Sequence, residues 1–162
     1  MKNELHFFSG KMASGKSTLS KLLAKKYKAI LLSEDELLSS LYPNEIITIE
    51  DYVKYSNRLK YTLQNHIENL LFNNTVVLDF PANTIKQRLW FKSIIENTNI
   101  SHTLHYLNKS DELCKKQLKI RNIDKSVEAP FTTDIEFDMI TKYFQEPSSD
   151  EGFNIKIYKE EK

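Results

Sequence analysis

Glycine is scarce in this chain. Three glycines occur in 162 residues, against about eleven at average usage, which excludes glycine-rich linkers and leaves mostly regular structure. A single cysteine, Cys114, excludes an internal disulfide and fits a reducing compartment, so a cytoplasmic location is expected. The longest apolar run is the four residues Ala29-Ile30-Leu31-Leu32, too short for a membrane-spanning helix. The opening Met1-Lys2-Asn3-Glu4 turns polar before any hydrophobic stretch develops, unlike a signal peptide. Charge of one sign is lacking too, since 23 basic against 22 acidic residues leave a net charge of +1. That balance gives no support to a general nucleic-acid or membrane-surface binder. The four histidines, His6, His66, His102 and His105, are too scattered to suggest a metal site. With no internal repeat or linker, residues 1–162 read as one domain, long enough to bury a core without staples.

What is present is an alternation of short apolar runs and longer helical patterns. Residues 5–8 read as a first buried strand, and 17–27 as a helix with Leu19, Leu22 and Leu23 at helical spacing. A second strand over 29–32 leads into a short helix over 36–41 that ends before Pro43. The longest pattern, 48–72, carries Tyr52, Tyr55, Leu59, Leu63, Ile67 and Leu70 on one stripe, and Thr48 and Asp51 open it at capping-box spacing. A third strand over 75–78 ends at Asp79. A helix over 84–97 is opened by Thr84 and Gln87, a fourth strand covers 103–107, and Ser110 opens a basic helix to about Arg121. Thr133 and Glu136 cap a helix that turns Phe137, Ile140 and Phe144 inward, and 154–158 closes as a last strand. This order predicts an α/β fold, a five-stranded, mostly parallel sheet with helices on both faces.

Two of the three glycines lie within one motif. Gly10-Lys11-Met12-Ala13-Ser14-Gly15-Lys16-Ser17 matches G-x-x-x-x-G-K-[ST] between a predicted strand and a predicted helix. Such a loop aims successive backbone N–H groups at one phosphate, and the positive end of the following helix reinforces them. Residues Gly10 through Thr18 are therefore the expected ATP-binding set, with Lys16 reaching the β- and γ-phosphates and Ser17 holding Mg²⁺. A competing pattern, Asn108-Lys109-Ser110-Asp111, reads N-K-x-D, the guanine-recognition sequence of GTPases. The rest of the GTPase set is missing, since Asp79-Phe80-Pro81-Ala82 has no glycine where D-x-x-G is required. Ser110 is better explained as a helix cap, and GTP stays open as a donor.

Four further segments carry a family resemblance: Leu32-Ser33-Glu34-Asp35-Glu36-Leu37, Val77 to Asn83 with Arg88 beyond, Gln117 to Asn122, and Phe144 to Gly152. Together with the phosphate loop they resemble the small AAA-domain P-loop kinases, similar to polynucleotide 5′-kinase, chloramphenicol phosphotransferase and zeta-toxin kinases. The resemblance implies a three-layer P-loop fold with a small basic lid over roughly residues 110–133. It also implies transfer of the γ-phosphate of ATP, with Mg²⁺, to a hydroxyl of a small-molecule acceptor. In this resemblance Asp35 is the base that takes the acceptor's proton, with Glu34 a second candidate; both could equally cap a helix. Asp79 would hold Mg²⁺ or the acceptor, Asn83 and Arg88 would join Glu34 and Asp79 on the acceptor side, and Arg121 would clamp the transferring phosphate. Residues 146–152 would lie beside the adenine. Lys115, Lys116, Lys119 and Lys125 make the basic stretch a lid or simply a solvated face, and Cys114 and Trp90 read as packing residues.

One departure narrows the acceptor. Polynucleotide kinases carry an Arg three residues after the base, for the acceptor's phosphate; here that residue is Leu38. This favours a neutral or small-molecule hydroxyl over nucleic acid. The alternatives are a polynucleotide 5′-hydroxyl kinase and a nucleotide-binding regulatory NTPase.

Overall fold

A computed structural model describes residues 2–123 and 133–161. In chain order the elements are β1 (Glu4–Ser9), α1 (Lys16–Tyr27), β2 (Ile30–Ser33), α2 (Glu34–Leu41), α3 (Ile49–Leu71), β3 (Val76–Pro81), α4 (Ile85–Thr98), β4 (Ser101–Asn108), α5 (Asp111–Ile123), α6 (Asp134–Thr141) and β5 (Ile155–Lys159). A single 3₁₀ turn, Ser149–Glu151, precedes the last strand.

The sheet order is β2-β3-β1-β4-β5, and every pairing is parallel, so the sheet is wholly rather than mostly parallel. Alternate residues along a strand face opposite sides, and β1 shows the consequence. Phe7 joins Leu59, Ile67, Phe91 and Leu104 under α3 and α4, while its neighbour Phe8 packs with Leu23, Val77 and Leu107 under α1. Both faces are covered, as parallel strands require. Because β1 lies between β3 and β4, the loops that leave these three strands meet at one carboxyl edge, where open α/β sheets bind ligands.

The capping chemistry works as its spacing predicts. Thr48 and Asp51, Thr84 and Gln87, and Thr133 and Glu136 each form reciprocal capping boxes. One boundary differs with consequence. The helix after β2 begins at Glu34 rather than at residue 36, because Ser33 ends the strand and caps the helix at once. Glu34 and Asp35 therefore both belong to the first turn of α2. Among the described residues, no helix is long and apolar enough to cross a membrane.

Candidate active site

The loop between β1 and α1 closes tightly because two positions are glycine. A Cβ at Gly10 would stand 2.6 Å from Ser14 Oγ and 3.1 Å from the Leu107 carbonyl oxygen. Gly15 has φ +100°, a conformation that L side chains rarely adopt, and it caps α1. Lys16, Ser17 and Thr18 follow in the first turn of α1, where backbone N–H groups have no partner within the helix. The buried Ser14 hydroxyl finds no hydrogen-bond partner, and the Lys16 ammonium donates to the carbonyls of Gly10 and Lys11 (2.5 and 2.8 Å). A cradle with a glycine where a Cβ would crowd the Leu107 carbonyl, an orphan hydroxyl and a lysine ammonium fits a polyphosphate group. For Mg²⁺ the donors at hand are the exposed Ser17 hydroxyl and the half-buried Asp79 carboxylate. Among the described residues no cluster of three metal-binding side chains exists, which suits an ion that keeps waters and phosphate oxygens as ligands.

Opposite the cradle, β2 and β3 end side by side, with Ser33 paired to Asp79. This register brings Asp35, in the first turn of α2, toward Asp79. Asp35 opens to the cleft but is flanked by protein. That loss of solvation, and then the negative charge of Asp79, raise its pKa, while Lys16 and Arg121 act against the rise. The Lys16 ammonium feels the reciprocal field. Desolvation lowers its pKa to about 8, against the pull of Asp79 and Asp35. Lys16, Asp35, Asp79 and Arg121 thus come together in one electrostatic neighbourhood, although four separate segments supply them.

Glu34 goes the other way. It is 1% exposed, and its carboxylate accepts hydrogen bonds from the hydroxyls of Tyr52 and Ser56 on α3, the latter at 2.8 Å. Burial raises its pKa, against the charge of the buried Lys60 and the two hydroxyls. Its place is between helices, neither at the acceptor nor as a second base.

Arg88 is also corrected. It is completely buried. Its guanidinium pairs with Glu151 at 2.6 Å and donates to the carbonyls of Ala82 and Gln145 at 2.9 Å each and of Glu146 at 3.4 Å. These partners fasten the segment before β5 onto α4, and the completely buried guanidinium is closed off from an acceptor in the cleft. The same contacts, with Tyr106 donating to Glu146, hold residues 146–151 as a strap on α4. Asn83 likewise points at the cradle: its side-chain oxygen accepts the Gly10 amide.

On α5, Arg121 is exposed. The lysines beside it are answered by acids of α6, Lys115 by Asp138 at 2.7 Å and Lys119 by Asp134 at 3.8 Å. Much of the basic character read from the sequence is therefore neutralised across the two helices. Residues 124–132 of the expected lid, with Lys125, lie outside the described residues. Ser110 caps α5 by accepting the Leu113 amide, and Asp111 pairs with Lys11 of the phosphate loop. Cys114 is fully buried with Leu118 and Phe137, against Met12 and Ala13. Trp90 packs edge-on to Phe91.

Sequence reasoning missed the partners of Glu34, because hydroxyls and a lysine on the helical stripe of 48–72 carry no signature of their own. It also missed that His6 and His105 meet, His6 Nδ1 lying 3.0 Å from His105 Nε2. Only the pairing of β1 with β4 brings them together.

A family model described as an AAA domain matches residues 5–147. The solved structure of a candidate kinase from Chloroflexus aurantiacus is similar with a TM-score of 0.75 at 14% identity, covering 98% of this chain and 89% of that one. Chaetomium thermophilum Kti12, solved with ADP-AlF3, has a TM-score of 0.66 at 16% identity, covering 96% and 87%. Shikimate kinase from Acinetobacter baumannii, solved with shikimate, has a TM-score of 0.55 at 18% identity, covering 86% and 75%. No curated protein sequence matches the chain. At such identities the likeness to solved structures shows the fold, which is that of the P-loop kinases. The match over residues 5–147 shows the rest: this chain belongs to the AAA-domain family of P-loop proteins.

Proposed function

We propose that the chain is an ATP- and Mg²⁺-dependent phosphotransferase that acts on a hydroxyl of a small-molecule acceptor. The observation that carries this reading is the phosphate cradle of Gly10 to Lys16 at the same carboxyl edge where the register pairing Ser33 with Asp79 sets Asp35 beside Asp79. Phosphoryl transfer asks little of a protein beyond this: positioning, charge neutralisation and a base for the attacking hydroxyl. ATP with its Mg²⁺ would supply the phosphoryl group. Lys16 and the α1 amides would neutralise phosphate charge, Ser17 and Asp79 would hold the metal, and Arg121 would offset charge on the transferring oxygens. Asp35 accepts the acceptor's proton on its carboxylate, and its raised pKa brings it nearer to neutral, where a base works best.

The acceptor side supports a small substrate without phosphate. Leu38, where an anion-binding Arg would be needed, is 3% exposed in the core, and Arg88 is completely buried against Glu151 and the Ala82 carbonyl. A panel of hydroxyl compounds, screened for stimulation of ATP turnover, identifies the acceptor class. With it in hand, Asp35→Asn should keep Mg·ATP binding and lose about 10²-fold or more in acceptor-dependent turnover, the scale of a lost general base. Because Ser33 already caps α2, Asp35→Asn gives up only a first-turn charge, worth about 0.3–1 kcal/mol, so turnover near wild type would end this reading.

A further inference from the structure

Helix α2 is eight residues long, too short to be stable by itself in water. Its own cap is weak, since the Glu36 amide reaches Ser33 Oγ only at 3.4 Å. Something else must fix its first turn, and Glu34 is the residue built to do so. The side chain of this first helical residue runs down into the protein, 1% exposed, and both its oxygens are taken by α3 hydroxyls, from Tyr52 and from Ser56. One α3 turn further on, Lys60 is 7% exposed, its ammonium 5.6 Å from the centre of the Trp90 ring. Lys60 supplies the positive charge facing Glu34. A buried carboxylate held by two hydroxyls and a buried cation is costly to move.

We propose that Glu34 is the positioning residue of the acceptor side: clamped by Tyr52 and Ser56, it locks the first turn of α2 and so holds the neighbouring Asp35 toward Asp79 and Lys16. Successive helix residues point about 100° apart, so anchoring one in the protein presents the next to the cleft. Asp35 itself has no hydrogen-bond partner among the described residues that would aim it, and its direction is inherited from Glu34. This inference rests on the reading of Asp35 as the base.

Three variants of the full chain test it: Glu34→Gln, which keeps length and one acceptor oxygen, Glu34→Ala, and the milder Tyr52→Phe, which stays folded if Glu34→Ala does not. Mg·ATP affinity, set by the cradle on the other side of the cleft, should be unchanged in all three. Mg·ATP turnover, with the stimulating compound of the hydroxyl panel present, should fall by about tenfold in Tyr52→Phe and about 10²-fold in Glu34→Ala, the scale of roughly 1 Å of misplacement. Glu34→Gln should fall between wild type and Glu34→Ala. The second readout is the Asp35 carboxyl titration by carbon-13 NMR, which should move back toward the ordinary aspartate range as the turn loosens. A purely structural Glu34 would lower the melting temperature and leave both the turnover and the titration of Tyr52→Phe at wild-type values, which overturns the proposal. Asp35→Asn separates the two failures. If it turns over normally, the base reading falls and this inference with it. If it loses turnover while Tyr52→Phe and Glu34→Gln keep theirs, only the positioning role is wrong.

Discussion

The side-chain oxygen of Asn83 accepts the amide of Gly10 at 2.9 Å, across 73 positions of sequence. Asn83 is itself held from both sides, its amide donating to Gln87 and its carbonyl accepting from Gln145. Its neighbour Ala82 donates to the Phe8 carbonyl. The entrance to the phosphate cradle is therefore set by the loop after β3 as well as by its own glycines.

Asn83→Ala leaves the buried Gly10 amide without a partner, a cost of about 1–3 kcal/mol. The expected result is weaker Mg·ATP binding by calorimetry, by about tenfold, together with a lower melting temperature. Asn83→Asp retains the acceptor oxygen for the Gly10 amide but adds a negative charge at the cradle, so it should keep the melting temperature better than Asn83→Ala while still binding Mg·ATP weakly. Unaltered affinity in Asn83→Ala would mean that the cradle shapes itself unaided.

Lys16 makes binding pH-dependent. Its pKa is lowered to about 8, mainly by desolvation. The ammonium is present below that pH and is lost as pH rises through it, so affinity for the polyanion should fall above pH 8 and level off below pH 7. Calorimetry from pH 6.5 to 9.5 measures this, with proton uptake on binding near pH 8. Lys16→Ala should bind weakly at every pH and keep its fold. A pH-independent affinity in the wild type would contradict the arrangement.

Arg88 contributes stability rather than recognition. Arg88→Met removes a buried cation from Glu151 and from three carbonyls, and breaking such a pair costs about 3–5 kcal/mol. Chemical denaturation should show a loss of that order, with the Mg·ATP affinity of the remaining folded fraction little changed. A stable Arg88→Met that fails to use its acceptor would restore Arg88 to the acceptor side.

The buried imidazoles of His6 and His105 should make stability fall in acid. Desolvation lowers both pKa values, that of His105 to about 3 from an ordinary 6.5, with His6 and Lys156 adding to the effect. Folded values below the unfolded one mean that the unfolded chain holds more protons between about pH 6.5 and pH 3. Stability is therefore complete above the unfolded value and falls as pH drops through that window. His105→Gln should flatten this limb of the melting-temperature profile relative to wild type. Parallel profiles for the two proteins would show that carboxylates alone govern the acid loss.

Local chemistry by itself determined a great deal here. The phosphate loop is contiguous, so eight residues and their strand–helix setting disclose both its geometry and its ligand class. Capping boxes act within one helical turn, and Thr48, Thr84 and Thr133 mark helix starts because a hydroxyl and an amide three residues on cannot avoid each other. Strands announce themselves by apolar runs because a parallel sheet is buried on both faces. The tertiary structure decided what depends on contacts across elements. Glu34 and Asp35 look alike as adjacent acids, and only the position of α3 sends one into the protein and leaves the other to the cleft. Arg88 and Asn83 have the residue types of a binding site, yet the strap at 145–151 and the Gly10 amide claim them first. His6 and His105 stand 99 positions apart and meet only because β1 lies beside β4. Sequence pattern records which side chains a backbone repeat must bury; which polar group a buried donor finds is settled by the packing of segments distant in the chain.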